Sequence, residues 1–164
     1  MSLDPELTEL ARRVIEVNTV AGRRITTAES CTGGLVAAAL TEIPGSSAVF
    51  DRSFVTYSNE AKIELLGVSE DILATLGAVS EATAWSMAQG ALERSNADVA
   101  VAVSGIAGPL GGSEKKPVGT VVFARALRVN ETNTMVADTH HFGDLGRSEI
   151  RRQAALVALR LLLP

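Results

Sequence analysis

The sequence contains little of several residue types, and each shortage narrows the possible classes of protein. A single cysteine among 164 residues permits no disulfide within the chain, which fits a reducing compartment and predicts a cytoplasmic protein. No apolar run reaches the roughly 18 residues needed to cross a bilayer, and the acidic start lacks the basic and apolar regions of a signal peptide. Aromatic residues make up only 4% of the chain, which favours closely packed helices on a sheet over an aromatic stacking surface.

Positive charge is scarce as well. Lysine occurs only at positions 62, 115 and 116, and the net charge is −4. A nucleic-acid-binding protein normally presents a basic face, so we expect no nucleic-acid partner. One or two local arginines could still hold a small anionic ligand.

What the sequence does contain is the alternating pattern of an α/β protein. Its length suits one domain, which we take as residues 1–164. Residue spacing gives the order helix, strand, helix, strand, three helices, strand, two hairpin strands and helix. The predicted strands are residues 24–29, 48–57, 98–104, 118–128 and 134–142, the last two separated by VNETN. This order predicts a mixed five-stranded sheet between helical layers.

Three hydroxyl-bearing residues fall at the ends of the predicted parallel strands. Ser30, Tyr57 and Ser104 each close a strand and precede a turn or loop. Ligands of such folds gather at the carboxyl ends of the strands, so we expect these residues to share one rim of the sheet.

The stretch SCTGG, residues 30–34, joins the first strand to a helix that we predict over residues 32–43. Three interpretations are open: a nucleophile on a turn, a phosphate cradle, or only a tight connection. The amides of such a helix start, with Gly33 and Gly34 allowing close approach, would favour an anion or a developing oxyanion. The stretch matches neither a P-loop nor a Rossmann glycine pattern.

Lys62 is the residue that could activate a serine at this rim. It follows Tyr57 by five residues, at the start of a helix where the dipole disfavours a cation. That field and partial burial would lower its pKa and let a neutral amine act as a base. The plainer alternative is a solvated lysine paired with Glu60 or Glu64.

The other candidates are weaker. His140 and His141 are neighbours in a predicted strand, so their rings point to opposite faces; they support a Ser-His-Asp arrangement only weakly and cannot together chelate zinc. Ser104-Gly105 could hold a substrate amide or hydroxyl group, and Arg147, at the start of the last helix, could clamp a phosphate or carboxylate. Arg151 and Arg152 are interpreted as surface or interface residues.

Several longer motifs point to one family. The segments TAESCTGG, GSS, FVTYSNEAK, GAVSE and SGIAGPLGGSEKKPVGTV, with the final R-x-x-x-R-R-Q, resemble the CinA carboxy-terminal domain family of nicotinamide mononucleotide deamidases. The resemblance runs from about Thr27 to Gln153. One departure is Leu145-Gly146-Arg147, where many relatives carry Gly-Asp-Arg or Gly-Asn-Arg.

The resemblance implies an α/β fold, a three-layer α/β/α sandwich with a mixed, mostly parallel five-stranded sheet. It implies an amidohydrolase of pyridine nucleotide (NAD) salvage that needs no metal or other cofactor and converts nicotinamide mononucleotide to nicotinic acid mononucleotide and ammonia. Ser30 would be the nucleophile, Lys62 its base, and Tyr57 a residue that orients or relays protons between them. The implied substrate-binding residues are Thr32, Gly33, Gly34, Ser46, Ser104, Gly105 and Arg147.

Two alternatives to this enzyme remain at the level of sequence. The chain could be a nucleotide-binding or regulatory module without turnover, or it could hydrolyse a different small amide. The last helix, predicted over residues 147–163, also has too many apolar residues for one narrow face, which predicts a dimer or higher homo-oligomer.

Overall fold

The computed structural model describes residues 2–128 and 136–164, and its elements follow the predicted order. The helices are α1 (Pro5–Ala21), α2 (Leu35–Thr41), α3 (Asn59–Leu66), α4 (Glu70–Leu76), α5 (Glu81–Glu93) and α6 (Arg147–Leu161). The strands are β1 (Ile25–Glu29), β2 (Phe50–Val55), β3 (Val99–Gly105), β4 (Thr120–Leu127) and β5 (Val136–His141). A short 3₁₀ turn, Ser46–Ala48, precedes β2.

The five strands form one mixed sheet in the order β2-β1-β3-β4-β5. β1 is parallel to β2 and β3, whereas β4 is antiparallel to both β3 and β5. Four strands therefore run in one direction and only β4 runs against them, which confirms the mixed, mostly parallel sheet. The antiparallel pairing of β4 with β5 agrees with the predicted hairpin, although the VNETN connection lies outside the described residues.

The two faces of the sheet carry separate hydrophobic cores, and this confirms the three-layer arrangement. Along β3, Val99, Val101 and Val103 face a core shared with α1, α2 and α6, which we call the α6-side core. Ala100 and Ala102 face the opposite core, shared with α3, α4 and α5, which we call the α5-side core. A strand buried on both faces gives the continuous apolar run seen in the sequence.

Small residues let the helices of the α5-side core pack closely. The sheet contributes mostly alanine on this side, and Gly90 of α5 lies against Leu66 of α3. A Cβ atom at Gly90 would lie 2.0 Å from the main-chain oxygen of Leu66, so any larger residue there would push α3 away. This close packing fixes α3, and with it Lys62, beneath the ends of the strands.

The apolar surface of α6 is covered within the chain. Ala154, Leu156 and Leu159 are buried in the α6-side core, and Val157 and Leu161 pack against it partly buried. The observation that suggested a homo-oligomer thus has an explanation inside one chain, because the helix lies between α1, α2 and the sheet. In the described ranges, no helix is both long and apolar enough to cross a membrane.

Candidate active site

Three adjacent strands end in hydroxyl-bearing residues on the same face of the sheet. Phe54 of β2, Ala28 of β1 and Ala102 of β3 lie side by side in register and belong to the α5-side core. Side chains of a strand alternate between faces, so the residues two positions later also share this face. These residues are Thr56, Ser30 and Ser104, and all three are buried.

Lys62 reaches this row of hydroxyls from α3. Ser58 caps the helix with its hydroxyl on the Ala61 amide, which fixes the first turn. Lys62 Nζ lies 2.9 Å from Ser30 Oγ, and the Lys62 side chain is only 1% exposed. The interpretation of Lys62 as a solvated lysine is therefore wrong.

Two main-chain carbonyls hold the Lys62 amine. Nζ lies 2.8 Å from the oxygen of Thr56 and 3.2 Å from that of Tyr57. Burial in a poorly solvated site lowers the pKa of Lys62 below its ordinary value. A neutral amine has two N–H groups and one lone pair. If the carbonyls take the two N–H groups, the lone pair faces the Ser30 hydroxyl, as a general base requires.

Cys31, the neighbour of Ser30, has a different environment. The thiol is buried, and burial raises the pKa of Cys31 to about 12. The nearby charge of Glu29 contributes to this rise, so the thiol stays protonated at neutral pH. Ser30 is accordingly the better placed nucleophile of the pair.

The turn after Ser30 differs from the prediction because Glu29 occupies it. This fully buried carboxylate accepts hydrogen bonds from the Thr32 hydroxyl (2.6 Å) and from the amides of Gly34 (3.0 Å), Val36 (3.2 Å) and Ala37 (2.9 Å). The Gly33 amide donates to the Ser30 oxygen. The expected helix start at Thr32 therefore moves to Leu35.

The two glycines of the turn allow its backbone conformation. Gly33 and Gly34 have φ values of 59° and 97°, which other residues rarely adopt, and they let the chain fold back onto Glu29. Thr32, Gly33 and Gly34 do not line the cavity described below. Substrate binding by these three residues stays a prediction that this geometry does not support, since Glu29 and the Ser30 main-chain oxygen accept hydrogen bonds from the Thr32 hydroxyl and from the Gly33 and Gly34 amides.

Arg151 is a site-supporting residue that the sequence interpretation assigned to the surface. Its guanidinium donates to the main-chain oxygens of Cys31 and Thr32, both at 3.0 Å. It lies one helical turn after Arg147 on α6. That i, i+4 spacing was the available signal, because residues so spaced share a helix face.

A cavity of about 250 Å³ opens over Ser30 and Lys62. Tyr57 and Arg147 stand at its mouth and are both exposed. Arg147 donates to the Tyr57 hydroxyl at 2.9 Å and to the Gly108 oxygen at 2.7 Å. The Tyr57 phenol thus bonds to Arg147, and only the Tyr57 main chain contacts Lys62, so the expected proton relay through the phenol has no support in this geometry.

The end of β3 also contributes to the lining of the cavity. Ser104 and Gly105 both line it. A Cβ atom at Gly105 would come within 2.7 Å of the Val121 side chain, so close packing against β4 requires glycine there. The Ser104 hydroxyl donates to the Ala78 oxygen at 2.9 Å, which ties the strand end to the turn between α4 and α5.

Ser46 and the two histidines lie away from this cavity. Ser46 precedes the amino end of β2, whereas the cavity is at the carboxyl end, roughly 20 Å along the strand. Substrate binding by Ser46 stays a prediction, and this cavity of the same chain does not support it. His140 and His141 belong to β5, which β3 and β4 separate from β1, so a Ser-His pair with Ser30 does not form.

In the residues that the structure describes, no three His, Cys, Asp or Glu side chains come together to hold a metal ion. The polar side chains that line the cavity offer a buried amine, hydroxyl groups, a thiol, a phenol and a guanidinium. The predicted residues Ser30, Lys62, Tyr57, Ser104, Gly105 and Arg147 meet at one cavity.

Comparison with known proteins agrees with this arrangement. The CinA C-terminal domain family matches residues 7–164. A protein of Escherichia coli strain K12 named nicotinamide-nucleotide amidohydrolase PncC is 53% identical over 159 residues, covering 97% of this chain and 94% of that protein. A protein of the same name from Enterobacter agglomerans is 56% identical over 139 residues, covering 85% and 82%.

A solved structure gives the same result in three dimensions. The competence/damage inducible protein CihA from Agrobacterium tumefaciens superposes with a TM-score of 0.94 at 55% identity, covering 99% of this chain and 97% of that one. The family resemblance found in the sequence motifs is confirmed. The chain belongs to the CinA C-terminal domain family.

Proposed function

We propose that this chain is a nicotinamide-nucleotide amidohydrolase, which converts nicotinamide mononucleotide to nicotinic acid mononucleotide and ammonia in pyridine nucleotide salvage. The observation that carries the proposal is the buried Lys62 amine at 2.9 Å from the Ser30 hydroxyl inside a cavity. The name and near full-length identity of the Escherichia coli relative supply the substrate.

The proposed chemistry uses Lys62 as both base and acid. Ser30 Oγ attacks the carboxamide carbon while its proton passes to Lys62 Nζ. The carbon–nitrogen bond then breaks, and ammonia leaves with that proton. Water attacks the resulting ester, Nζ accepts a proton from the water and returns it to Oγ, and the carboxylic acid is released.

The oxyanion requires a donor other than the predicted amides of Gly33 and Gly34, which are bound elsewhere. We assign this role to the Gly105 amide. In β3 the Ile106 amide donates to the Thr120 oxygen of β4, so by alternation the Gly105 amide points to the β1 side, where Ser30 lies. A main-chain donor held by a strand needs no reorganisation during the reaction.

Arg147 is the proposed partner of the nucleotide phosphate. It is exposed at the mouth, and its present partners are a neutral phenol and a carbonyl, which a phosphate can replace with a stronger charge-assisted bond. Tyr57 would then line the path of the nucleotide rather than relay protons. A small-molecule nucleotide is the only partner that this mechanism requires.

The assay of ammonia release tests the proposal. Wild-type protein incubated with nicotinamide mononucleotide should release one ammonia for each acid formed. Ser30→Ala and Lys62→Ala should each lower kcat at least about a thousandfold, because the nucleophile and its base act as a unit. Cys31→Ala should stay active and serves as the matched control in the same turn.

Other outcomes point to the alternatives. Binding of the nucleotide without ammonia release would indicate a regulatory module, and release from free nicotinamide or glutamine alone would indicate a different amidase. Full activity of Ser30→Ala would end the proposed mechanism. The single free thiol of Cys31 fits the cytoplasm, where we place the reaction.

A further inference from the structure

Ser104 stands directly beside the proposed nucleophile. β1 and β3 are parallel neighbours with Glu29 opposite Val103, and the Ser30 amide continues the ladder by donating to the Val103 oxygen at 2.9 Å. The next positions, Ser30 and Ser104, therefore lie about one strand spacing, roughly 4.8 Å, apart on the same face. A group bound to Ser30 is within reach of Ser104.

The direction of the Ser104 hydrogen bond is fixed by chemistry. Its hydroxyl lies 2.9 Å from the Ala78 oxygen, and a carbonyl can only accept, so the hydroxyl proton points to Ala78. A hydroxyl has one proton and two lone pairs. In the described part of the chain, Ser104 Oγ has no second hydrogen-bond partner. Its lone pairs are therefore what it can offer to a molecule in the cavity, whose wall it forms.

We infer that Ser104 is the residue that distinguishes the carboxamide substrate from the carboxylate product. A carboxamide presents an NH₂ group, which can donate to the lone pairs of Ser104. A carboxylate presents only acceptor oxygens, which those lone pairs repel. The inference rests on the proposed function and adds a determinant of specificity to it.

The same geometry disfavours the use of the Ser104 hydroxyl as a hydrogen-bond donor to the ligand. Ser104 could donate to a carboxylate only if its hydroxyl rotated away from Ala78. That rotation breaks the bond that holds the turn between α4 and α5 against the end of β3. Binding of the substrate keeps the hydrogen bond from Ser104 to Ala78. Binding of the product either breaks that bond or places the carboxylate against the lone pairs of Ser104, which repel it.

Because Ser104 acts as an acceptor, it also orients the carboxamide of the substrate. With the NH₂ group on Ser104, the carbonyl oxygen of the carboxamide points to the Gly105 amide, the proposed oxyanion donor. The carbon between them would then face Ser30, which lines the same cavity. Once hydrolysis has replaced nitrogen by oxygen, the attraction at Ser104 is lost, and the product is released more easily than the substrate.

A binding experiment isolates this effect from catalysis. In Ser30→Ala protein, which cannot turn over, calorimetry would measure the dissociation constants of nicotinamide mononucleotide and of nicotinic acid mononucleotide. Adding Ser104→Ala should weaken amide binding about five- to tenfold, the effect of one lost hydrogen bond. Acid binding should stay unchanged or become tighter. Ser104→Thr, which keeps the hydroxyl, should retain the preference for the amide.

The outcomes separate this inference from the proposed function. If Ser104→Ala weakens both ligands equally or neither, Ser104 does not discriminate and the inference is overturned, while ammonia release by wild type still upholds the function. If the wild-type protein neither binds nor hydrolyses nicotinamide mononucleotide, both the inference about Ser104 and the proposed function are rejected. Circular dichroism verifies that each variant folds. If Ser104→Ala does not fold, Ser104→Cys takes its place. Because sulfur is a poorer hydrogen-bond acceptor than oxygen, we expect the same loss of preference for the amide.

Discussion

Burial of the Lys62 amine has opposite consequences for chemistry and for stability. A lowered pKa leaves more of the amine neutral and able to accept the Ser30 proton. The unfolded chain, where Lys62 has its ordinary pKa, binds the proton more tightly than the folded protein does. Stability should therefore rise with pH between the folded and the ordinary pKa of Lys62.

The variant Lys62→Met tests this linkage. It removes the titrating group, so the pH-dependent component of stability that Lys62 contributes should disappear. Denaturant unfolding from about pH 6 to pH 10 should show that the free energy of unfolding of wild type rises relative to that of Lys62→Met. Lys115→Met, at an exposed lysine, should follow wild type at every pH. Parallel curves for wild type and Lys62→Met would contradict the lowered pKa.

The sequence predicts some residues of the site better than others, for physical reasons. Ser30, Lys62 and Ser104 follow from strand ends and helix starts, which topology brings together. Glu29 could not be assigned from local pattern, because most of its partners are main-chain amides of the turn. For Arg151 the available signal was its i, i+4 spacing from Arg147, which does not reveal its main-chain partners. The spacing of residues in the sequence does not show which main-chain groups of a turn need a side chain as their hydrogen-bond partner.

At the scale of elements, the join between β1 and α2 depends on Glu29. Its carboxylate fills the helix start that the sequence suggested for a ligand, and it binds four donors on residues 32 to 37. It does not line the cavity. We therefore regard Glu29 as a positioning residue that fixes the turn carrying Ser30.

Glu29→Gln should weaken this turn while preserving side-chain volume. The amide of glutamine turns one acceptor into a donor that faces other donors, so the free energy of unfolding should fall by about 1–3 kcal/mol. The folded variant should show a lower kcat with little change in KM. Glu42→Gln, at the exposed opposite end of α2, is the matched control. Wild-type kcat in folded Glu29→Gln would remove the positioning role.

Element boundaries show where local signals suffice. Serines 58, 69 and 80 cap α3, α4 and α5, and each side chain accepts a hydrogen bond from an amide two or three residues ahead, which is a local signal. The start of α2 was predicted three residues early. Its cap is a distant carboxylate with two glycines at positive φ, and no local capping residue marks it.

At the scale of the whole molecule, strand register decides whether there is an active site. Thr56, Ser30 and Ser104 share a face only because three strands end in step. A slip of one residue would turn a hydroxyl to the α6-side core. The alternation of valine and alanine along β3 protects this register, since each face accepts only one size of side chain.

The homo-oligomer stays a prediction, and light scattering can test it by measuring the mass of the protein in solution. The apolar residues of α6 no longer argue for it, because they pack within one chain. The remaining support is the exposed apolar residues outside α6, such as Val20 and Trp85. Multi-angle light scattering at micromolar concentration should give at least twice the mass of one chain. A monomeric mass would reject the prediction.

The contrast between a buried amine and an exposed arginine has a consequence for ionic strength. Salt screens charges in contact with solvent and barely reaches charges inside a protein. Arg147 is exposed, whereas Lys62 is only 1% exposed and its hydrogen-bond partners are uncharged oxygens. Added salt should therefore raise KM for an anionic nucleotide and leave kcat nearly constant, so the electrolyte content of the cell would tune capture of the substrate without altering the chemical step.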